Sequence, residues 1–246
     1  EKVMRTEQLA AVGRFSAGLA HEIRNPLTSL SGSIQVLARG LKLENSYKKL
    51  MEIVIKETDR LNSILSDFLS YSQPSKINNT IIDLTQLIQD VIILLKNKED
   101  FSSKKQIIFN GPTDHLTLNG DEEQIKQVVW NLCINALEAM SQGTLNLKLT
   151  EVFSFRSGSF HANQRGMVLE VQDEGCGIAF DQINNIYDPF YSSKKNGVGL
   201  GLATVYQIIS RNGGVLDVKS IVGKGTIFTV FIPDQESAKP APLLSH

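Results

Sequence analysis

The sequence predicts an α+β protein in two parts: a helical hairpin that dimerises into a four-helix bundle, followed by an α/β sandwich with a mixed sheet. Three observations predict it. Apolar residues recur at alternating three- and four-residue steps through the first third of the chain. A polar break marked by Pro74 follows, running to Asn79. Beyond it, short β-rich segments mix with helical stretches, and the strands outnumber what a βαβ repeat would supply.

The first helical seam runs through Leu9, Val12, Ser16, Leu19, Ile23, Leu27, Leu30, Ile34 and Leu37. Gly40 and Glu44-Asn45-Ser46 mark a turn, and a second seam follows through Leu50, Val54, Leu61, Ile64, Phe68 and Tyr71. A lone hairpin covers only one side of each stripe, so a homodimer is expected. The domains are set at 1–73 for the helical part, 74–80 for the linker, 81–234 for the second domain and 235–246 for a tail. Within the second domain, Leu84–Leu95 reads as a helix, Gln106–Phe109 and His115–Leu118 as short strands, and Asp121–Met140 as a long helix. Strands are expected at Leu145–Phe153 and Met167–Gln172, with an extended hairpin over Ser154–Gly166. A helix from Leu202 to Arg211 stops at Asn212-Gly213-Gly214. Strands Val215–Ser220 and Thr226–Ile232 close the fold before Pro233.

The composition narrows the function classes. A hydrophobic fraction of 41% and a charged fraction of 21% are ordinary for a soluble domain pair. A net charge of -1 offers no electrostatic case for nucleic acid or an anionic membrane. No run approaches the length of a membrane span, so no membrane contact is expected from this stretch of chain. Two cysteines, Cys133 and Cys176, fit neither a metal spacing nor a disulfide framework, which points to a reducing, cytoplasmic setting. The helical pattern is already running at Glu1, so a longer parent protein, which could carry a membrane anchor, is expected.

In the first domain the chemistry resides in His21-Glu22-Ile23-Arg24-Asn25-Pro26. His21 falls off the apolar seam, between Leu19 and Ile23, so on a helix it faces solvent. Glu22 can accept from one imidazole N–H, fixing the tautomer and making the other nitrogen a better nucleophile. Asn25 lies a turn further on, where it could orient a water or a partner carboxylate or cap the bend at Pro26.

The second domain carries a set of polar and glycine-rich features. On the helix Asp121–Met140, Gln124, Gln127, Asn131, Asn135 and Glu138 share one face, while Ile125, Val129, Leu132, Ala136 and Met140 share the other. Asparagine is a poor helix former, so two of them at i and i+4 suit a purpose other than helicity. Their neutral amide oxygens suit Mg²⁺ where phosphates already supply negative charge. Asp173-Glu174-Gly175-Cys176-Gly177 follows an apolar strand; Asp173 can accept from an exocyclic amine, and Gly175 and Gly177 let a flat base approach. Gly197-Val198-Gly199-Leu200-Gly201-Leu202 opens a helix, where free backbone N–H groups form a phosphate cradle. It is not a P-loop. Gly223-Lys224-Gly225-Thr226 reads equally well as a hairpin turn.

His21–Pro26, within Ala17–Leu30, closely resembles the H-box of histidine kinases. The later clusters, with Asp188-Pro189-Phe190 between them, resemble in order the N, G1, F, G2 and G3 boxes of the kinase ATP-binding domain. The resemblance covers roughly Glu7–Pro233. It implies ATP and Mg²⁺ as cofactors, phosphorylation of His21 assisted by Glu22, and transfer to an aspartate of a response-regulator receiver domain. It further implies that Glu22 and Asn25 serve dephosphorylation of that partner. Asn131 and Asn135 would meet the phosphates and Mg²⁺, with Asn135 as the metal ligand. Asp173, Gly175 and Gly177 would hold the adenine, and Gly197, Gly199, Leu200, Gly201, Leu202 and Thr226 would frame the nucleotide. Tyr191–Asn196 would be a short lid offering Lys194 and Lys195 to phosphate. Glu138 departs from relatives with a basic residue at that point, and is expected to point away or to pair with a lysine. The same half is similar to gyrase, mismatch-repair and heat-shock ATPases, which place a water-activating glutamate where this chain has Asn131. An amide cannot take that proton, which favours a kinase over an ATPase. A non-catalytic dimer that docks a partner is the third reading; it would go with degraded nucleotide motifs, and these are intact.

Overall fold

The computed structural model describes residues 27, 28, 30, 32–34, 36, 37, 45–72, 78–98, 101–112, 115–158, 160–194 and 198–234. The chain divides into two compact units, Glu1–Ser75 and Lys76–His246.

In the first unit the described residues between 27 and 37 are helical, and α1 spans Asn45–Ser72. Asn45 and Ser46, which the sequence placed in a turn, lie in the first turn of α1. Thr58 is buried, and its hydroxyl donates to the Val54 carbonyl at 2.7 Å. Leu50, Val54 and Leu61 from the second seam stand exposed, as do Leu30 and Leu37 from the first. Among the described residues no helix is long and apolar enough to cross a membrane.

The second unit opens with β1 (Thr80–Asp83) and α2 (Leu84–Lys96), where Asp83 caps the helix by accepting from the Gln86 amide at 3.0 Å. Next come β2 (Lys105–Asn110), β3 (Thr117–Gly120), α3 (Glu122–Ala139) and β4 (Gly143–Val152). The strands β5 (Phe155–Ser157), β6 (Phe160–Ala162) and β7 (Gly166–Asp173) follow, then α4 (Gly201–Arg211), β8 (Val215–Ile221) and β9 (Gly225–Pro233). The main sheet has the order β2-β4-β7-β9-β8. Its β2–β4 pair is parallel and the rest antiparallel, so the sheet is mixed, as expected.

Register decides which side of this sheet is dry. Leu147 faces Val171 across β4–β7, and Val171 faces Phe228 across β7–β9; Leu149, Leu169 and Val230 form the next row. These residues join Ile125, Val129, Leu132 and Ala136 of α3 and Val205, Ile208 and Ile209 of α4 in one core. Side chains alternate along a strand, so Val168, Glu170, Phe231 and Thr229 fall on the opposite face. There the β5–β6 hairpin covers Phe231: Phe155 stacks on it at 4.8 Å between ring centroids and Phe160 tilts against it at 6.1 Å.

Two details differ from expectation. The strand expected at His115–Leu118 lies at Thr117–Gly120, because Thr80 pairs with Gly120 and Asp83 with Thr117 in a separate two-stranded sheet. Its partner β1 went unread: of its four residues only Ile82 is buried, too little for a periodic signal.

Candidate functional site

The long helix α3 starts at a cap that also ties in the chain before it. Asp121, buried, accepts from the Gln124 amide at 3.1 Å through Oδ1 and from the Asn78 amide at 2.9 Å through Oδ2. With its apolar side in the core, α3 presents Asn131, Asn135 and Glu138 along one polar face. The start of α4 lies over these asparagines. Asn131 donates through Nδ2 to the Gly201 carbonyl at 3.3 Å, and a Cβ placed on Gly201 would sit 3.6 Å from Asn135 Nδ2. Among the described residues no side chain caps this end of α4. Its first amide N–H groups are therefore open to an anion, beside two primary amides.

Just before α4, Phe190 adopts a left-handed φ of 65° and its amide donates to the Gly199 carbonyl at 2.9 Å. Gly199 has φ 75°, and a Cβ there would lie 2.5 Å from the Tyr191 carbonyl oxygen. The two ends of the intervening loop are thus clasped by a contact that only glycine permits. From that loop Lys194 reaches α3: its Nζ lies 3.0 Å from Asn135 Oδ1 and 2.5 Å from Glu138 Oε2. Glu138 does pair with a lysine.

Asp173 ends β7 with its carboxylate buried. Its Oδ1 accepts from the amides of Gly175 at 2.8 Å and Thr226 at 3.3 Å, while its Oδ2 makes no hydrogen bond with any described residue. Burial pushes the Asp173 carboxyl above its ordinary range, against the opposing pull of those two amides and of the Lys194 charge. Gly175 and Gly177 place the following loop against its neighbours. The Cys176 amide donates to the Ala139 carbonyl at the end of α3 at 3.1 Å. A Cβ on Gly177, at φ 71°, would lie 2.2 Å from the Ile221 carbonyl oxygen. The arrangement combines a buried acceptor for a donor group, a run of open amides for an anion, and an amide oxygen already facing a cation.

Residues 11–77 match the family described as "His Kinase A (phospho-acceptor) domain", a span that contains His21. Residues 120–236 match "Histidine kinase-, DNA gyrase B-, and HSP90-like ATPase", a span that contains the whole cleft described above. The chain belongs to the sensor histidine kinases. It is similar to the sensor histidine kinase ZraS of Salmonella typhimurium, with 34% identity over 95% of this chain and 48% of that protein. Sporulation kinase E of Bacillus subtilis is 33% identical over 97% of this chain and 31% of its own length. This histidine kinase chain therefore spans about half or less of the curated relatives it matches. A solved complex of histidine kinase ThkA with response regulator protein TrrA superposes with a TM-score of 0.65 at 27% identity, covering 97% of this chain and 66% of that one. Full-length ShkA in complex with AMPPNP shares the fold, with a TM-score of 0.72 at 24% identity over 92% of this chain and 45% of that one.

Within the kinase's second unit, Asn131, Asn135, Gly201 and Lys194 come together, and Lys194 links them electrostatically to Asp173. Leu200 is buried, so only its backbone is available to a ligand, whereas Leu202 is half-buried at the first turn of α4. Thr226 braces Asp173 through its amide, and its hydroxyl is engaged with Ser220 Oγ at 2.9 Å. Ser220 was not singled out in the sequence, yet it also accepts from the Ile178 amide at 2.7 Å and donates to the Gly225 carbonyl at 3.1 Å. A lone serine in a strand carries no pattern that would have marked it. His21, Glu22, Asn25, Lys195 and Gly197 lie outside the described residues.

Proposed function

We propose that this chain binds ATP with Mg²⁺ in the cleft between α3, the end of β7 and the start of α4, and transfers the γ-phosphoryl group to His21. The observation that carries the reading is the convergence of Asn135, Lys194 and the uncapped start of α4 on one side of the cleft, with the half-satisfied Asp173 carboxylate within reach of the same lysine's charge. In this reading Asp173 Oδ2 accepts from the adenine exocyclic amine, and the amides at Gly201 and Leu202 receive phosphate oxygens. Gly175, Gly177, Gly197 and Gly199 shape the backbone around the nucleotide, and Lys194 and Lys195 offer cations to the phosphates.

Asn135 is the residue that would hold Mg²⁺. The fit rests on its Oδ1, which already faces a positive charge, the Lys194 ammonium. When bound, the ion would offset charge that develops on the phosphates during transfer. Glu22 holds the imidazole of His21 in the tautomer whose free nitrogen attacks the γ-phosphorus. The bond to the β–γ bridging oxygen breaks, ADP leaves, and a phosphohistidine remains. Asn131 supplies an amide where an ATPase would need a base, and it is committed to the Gly201 carbonyl. Water is therefore not activated, and the phosphoryl group waits for the histidine.

The phosphoryl group then passes to an aspartate of a receiver domain, a reading supported by the similarity to a kinase solved with its response regulator. Glu22 and Asn25 would serve the reverse, dephosphorylating reaction. The helical domain, 1–73, would pair with a second copy, and the linker, 74–80, would let the ATP domain, 81–234, swing to the histidine, leaving 235–246 as a tail. ATP supply places this work in the cytoplasm. The test is incubation of the chain with γ-labelled ATP. Acid-labile, base-stable label is expected on wild type, absent from His21→Gln and reduced by at least about tenfold in Asn135→Ala. Undiminished label in His21→Gln would overturn the assignment.

A further inference from the structure

Glu138 sits one helical turn beyond Asn135 on α3, so their side chains share a face. A carboxylate there would repel a polyphosphate drawn into the cleft, and yet it is half-exposed and adjacent to the proposed cation ligand. Its charge is answered by a residue 56 positions away: the Lys194 ammonium bridges Glu138 Oε2 and Asn135 Oδ1, at 2.5 and 3.0 Å. One amine thus occupies the coordinating oxygen of Asn135 and neutralises the carboxylate beside it. Entry of a nucleotide with its divalent cation requires Asn135 Oδ1 to be given up, and the nearest new anion for the released ammonium is phosphate.

We infer that Glu138 is a positioning residue for Lys194: it parks the ammonium over Asn135 in the nucleotide-free protein and sets the cost of handing that lysine to the phosphates. The inference rests on the nucleotide reading above and adds a function for a residue that the family motifs do not explain. Glu138 touches neither base nor phosphate; it acts through Lys194. Neutralising Glu138 while keeping its shape should free the lysine without disturbing α3, because the side chain is solvent-facing.

Two measurements on the full chain test it. The first needs no nucleotide: acylation of Lys194 by an amine-reactive ester, followed on its own peptide by mass spectrometry. Glu138→Gln should speed the reaction about two- to fivefold, the range set by an exposed ion pair. Equal rates would mean that the pair does not hold Lys194 in solution, and would overturn the inference. The second is ATP affinity by calorimetry with Mg²⁺ for wild type, Glu138→Gln, Lys194→Ala and the double variant. Lys194→Ala should weaken ATP binding about two- to fivefold more in the Glu138→Gln background than in wild type, because there the lysine breaks no ion pair when it moves. Additive effects would overturn the inference and leave the nucleotide reading standing. No ATP binding by wild type, with the labelling difference intact, would instead remove the nucleotide reading, and with it the role assigned to Glu138.

Discussion

In the proposed site the Asp173 carboxylate would serve structure and recognition with different oxygens. Oδ1 gathers the amides of Gly175 and Thr226, which come from segments that meet only in the folded chain. In the proposed function Oδ2 would meet a ligand donor. The cost of this arrangement is burial of a charge, seen in the raised carboxyl pKa. A folded carboxyl with a raised pKa holds a proton that the unfolded chain has already released. Stability from this group is therefore present at acid pH and lost as pH rises from the unfolded value of 3.8 through the folded one. Asp173→Asn keeps the shape and removes the charge. Without nucleotide it should melt no lower than wild type at neutral pH, and the difference between the two should shrink as the pH is lowered. ATP affinity should fall about tenfold or more, since a hydrogen bond to a charged acceptor is worth about 1.5–3 kcal/mol. A variant that binds ATP as tightly as wild type in calorimetry would remove Asp173 from base recognition. Cys133 is the contrasting buried group: burial alone pushes its thiol up to about 12, leaving it inert in the core.

At the scale of elements, the site depends on how α3 and α4 are seated on the sheet. The core face of α3, with Val129, Leu132 and Ala136 all but fully buried, sets the rotation that brings Asn131, Asn135 and Glu138 to the cleft. On the far side of the sheet the β5–β6 hairpin does comparable work for Phe231, which is fully buried between the strands and two further aromatic rings. Its edge is held by Ser157, whose hydroxyl donates to Asp217 Oδ2 at 2.9 Å. Phe231→Ala should cost about 3–5 kcal/mol in urea unfolding, by loss of transfer energy and the cavity left behind. Amide hydrogen exchange over Phe155–Ala162 should quicken in the same variant. Unaltered protection there would show that the hairpin is held by other contacts. Arg165 gives a second tie on this edge, donating to Glu151 Oε1 at 2.6 Å, to the Thr117 carbonyl at 3.2 Å and to buried Asp234.

For the whole molecule, the two units solve different problems. The second has its own core, built from three helices against one face of a five-stranded sheet. The first exposes Leu50, Val54 and Leu61 from the seam of α1, apolar area that a single copy leaves in water. Burying such side chains is worth about 1.5–3 kcal/mol each, so association of two copies is the expected outcome. Sedimentation at micromolar concentration should report a dimer, and Leu50→Lys with Leu61→Lys should shift it toward monomer. A wild-type monomer under those conditions would remove the bundle from the proposal.

Much of this architecture was legible in the chain because burial imposes a period on it. The polar and apolar faces of Asp121–Met140 emerged from helical geometry, and α3 occupies Glu122–Ala139 with Asp121 as its cap. The glycine clusters were legible too, since steric exclusion singles out positions such as Gly177 and Gly199 whatever surrounds them. What stayed hidden were relations between distant segments. The sequence allowed Glu138 a lysine partner without saying which; that Lys194 meets both Glu138 and Asn135, that Thr226 braces Asp173 and that Ser220 joins three segments appeared only in the fold. The short strand β1 and the register of β3 were likewise decided by pairing with each other rather than by any pattern within either. Local periodicity and sterics act over a few residues and so are written in order along the chain. Charge pairing and strand register act across the fold, and only the tertiary structure brings their partners within reach.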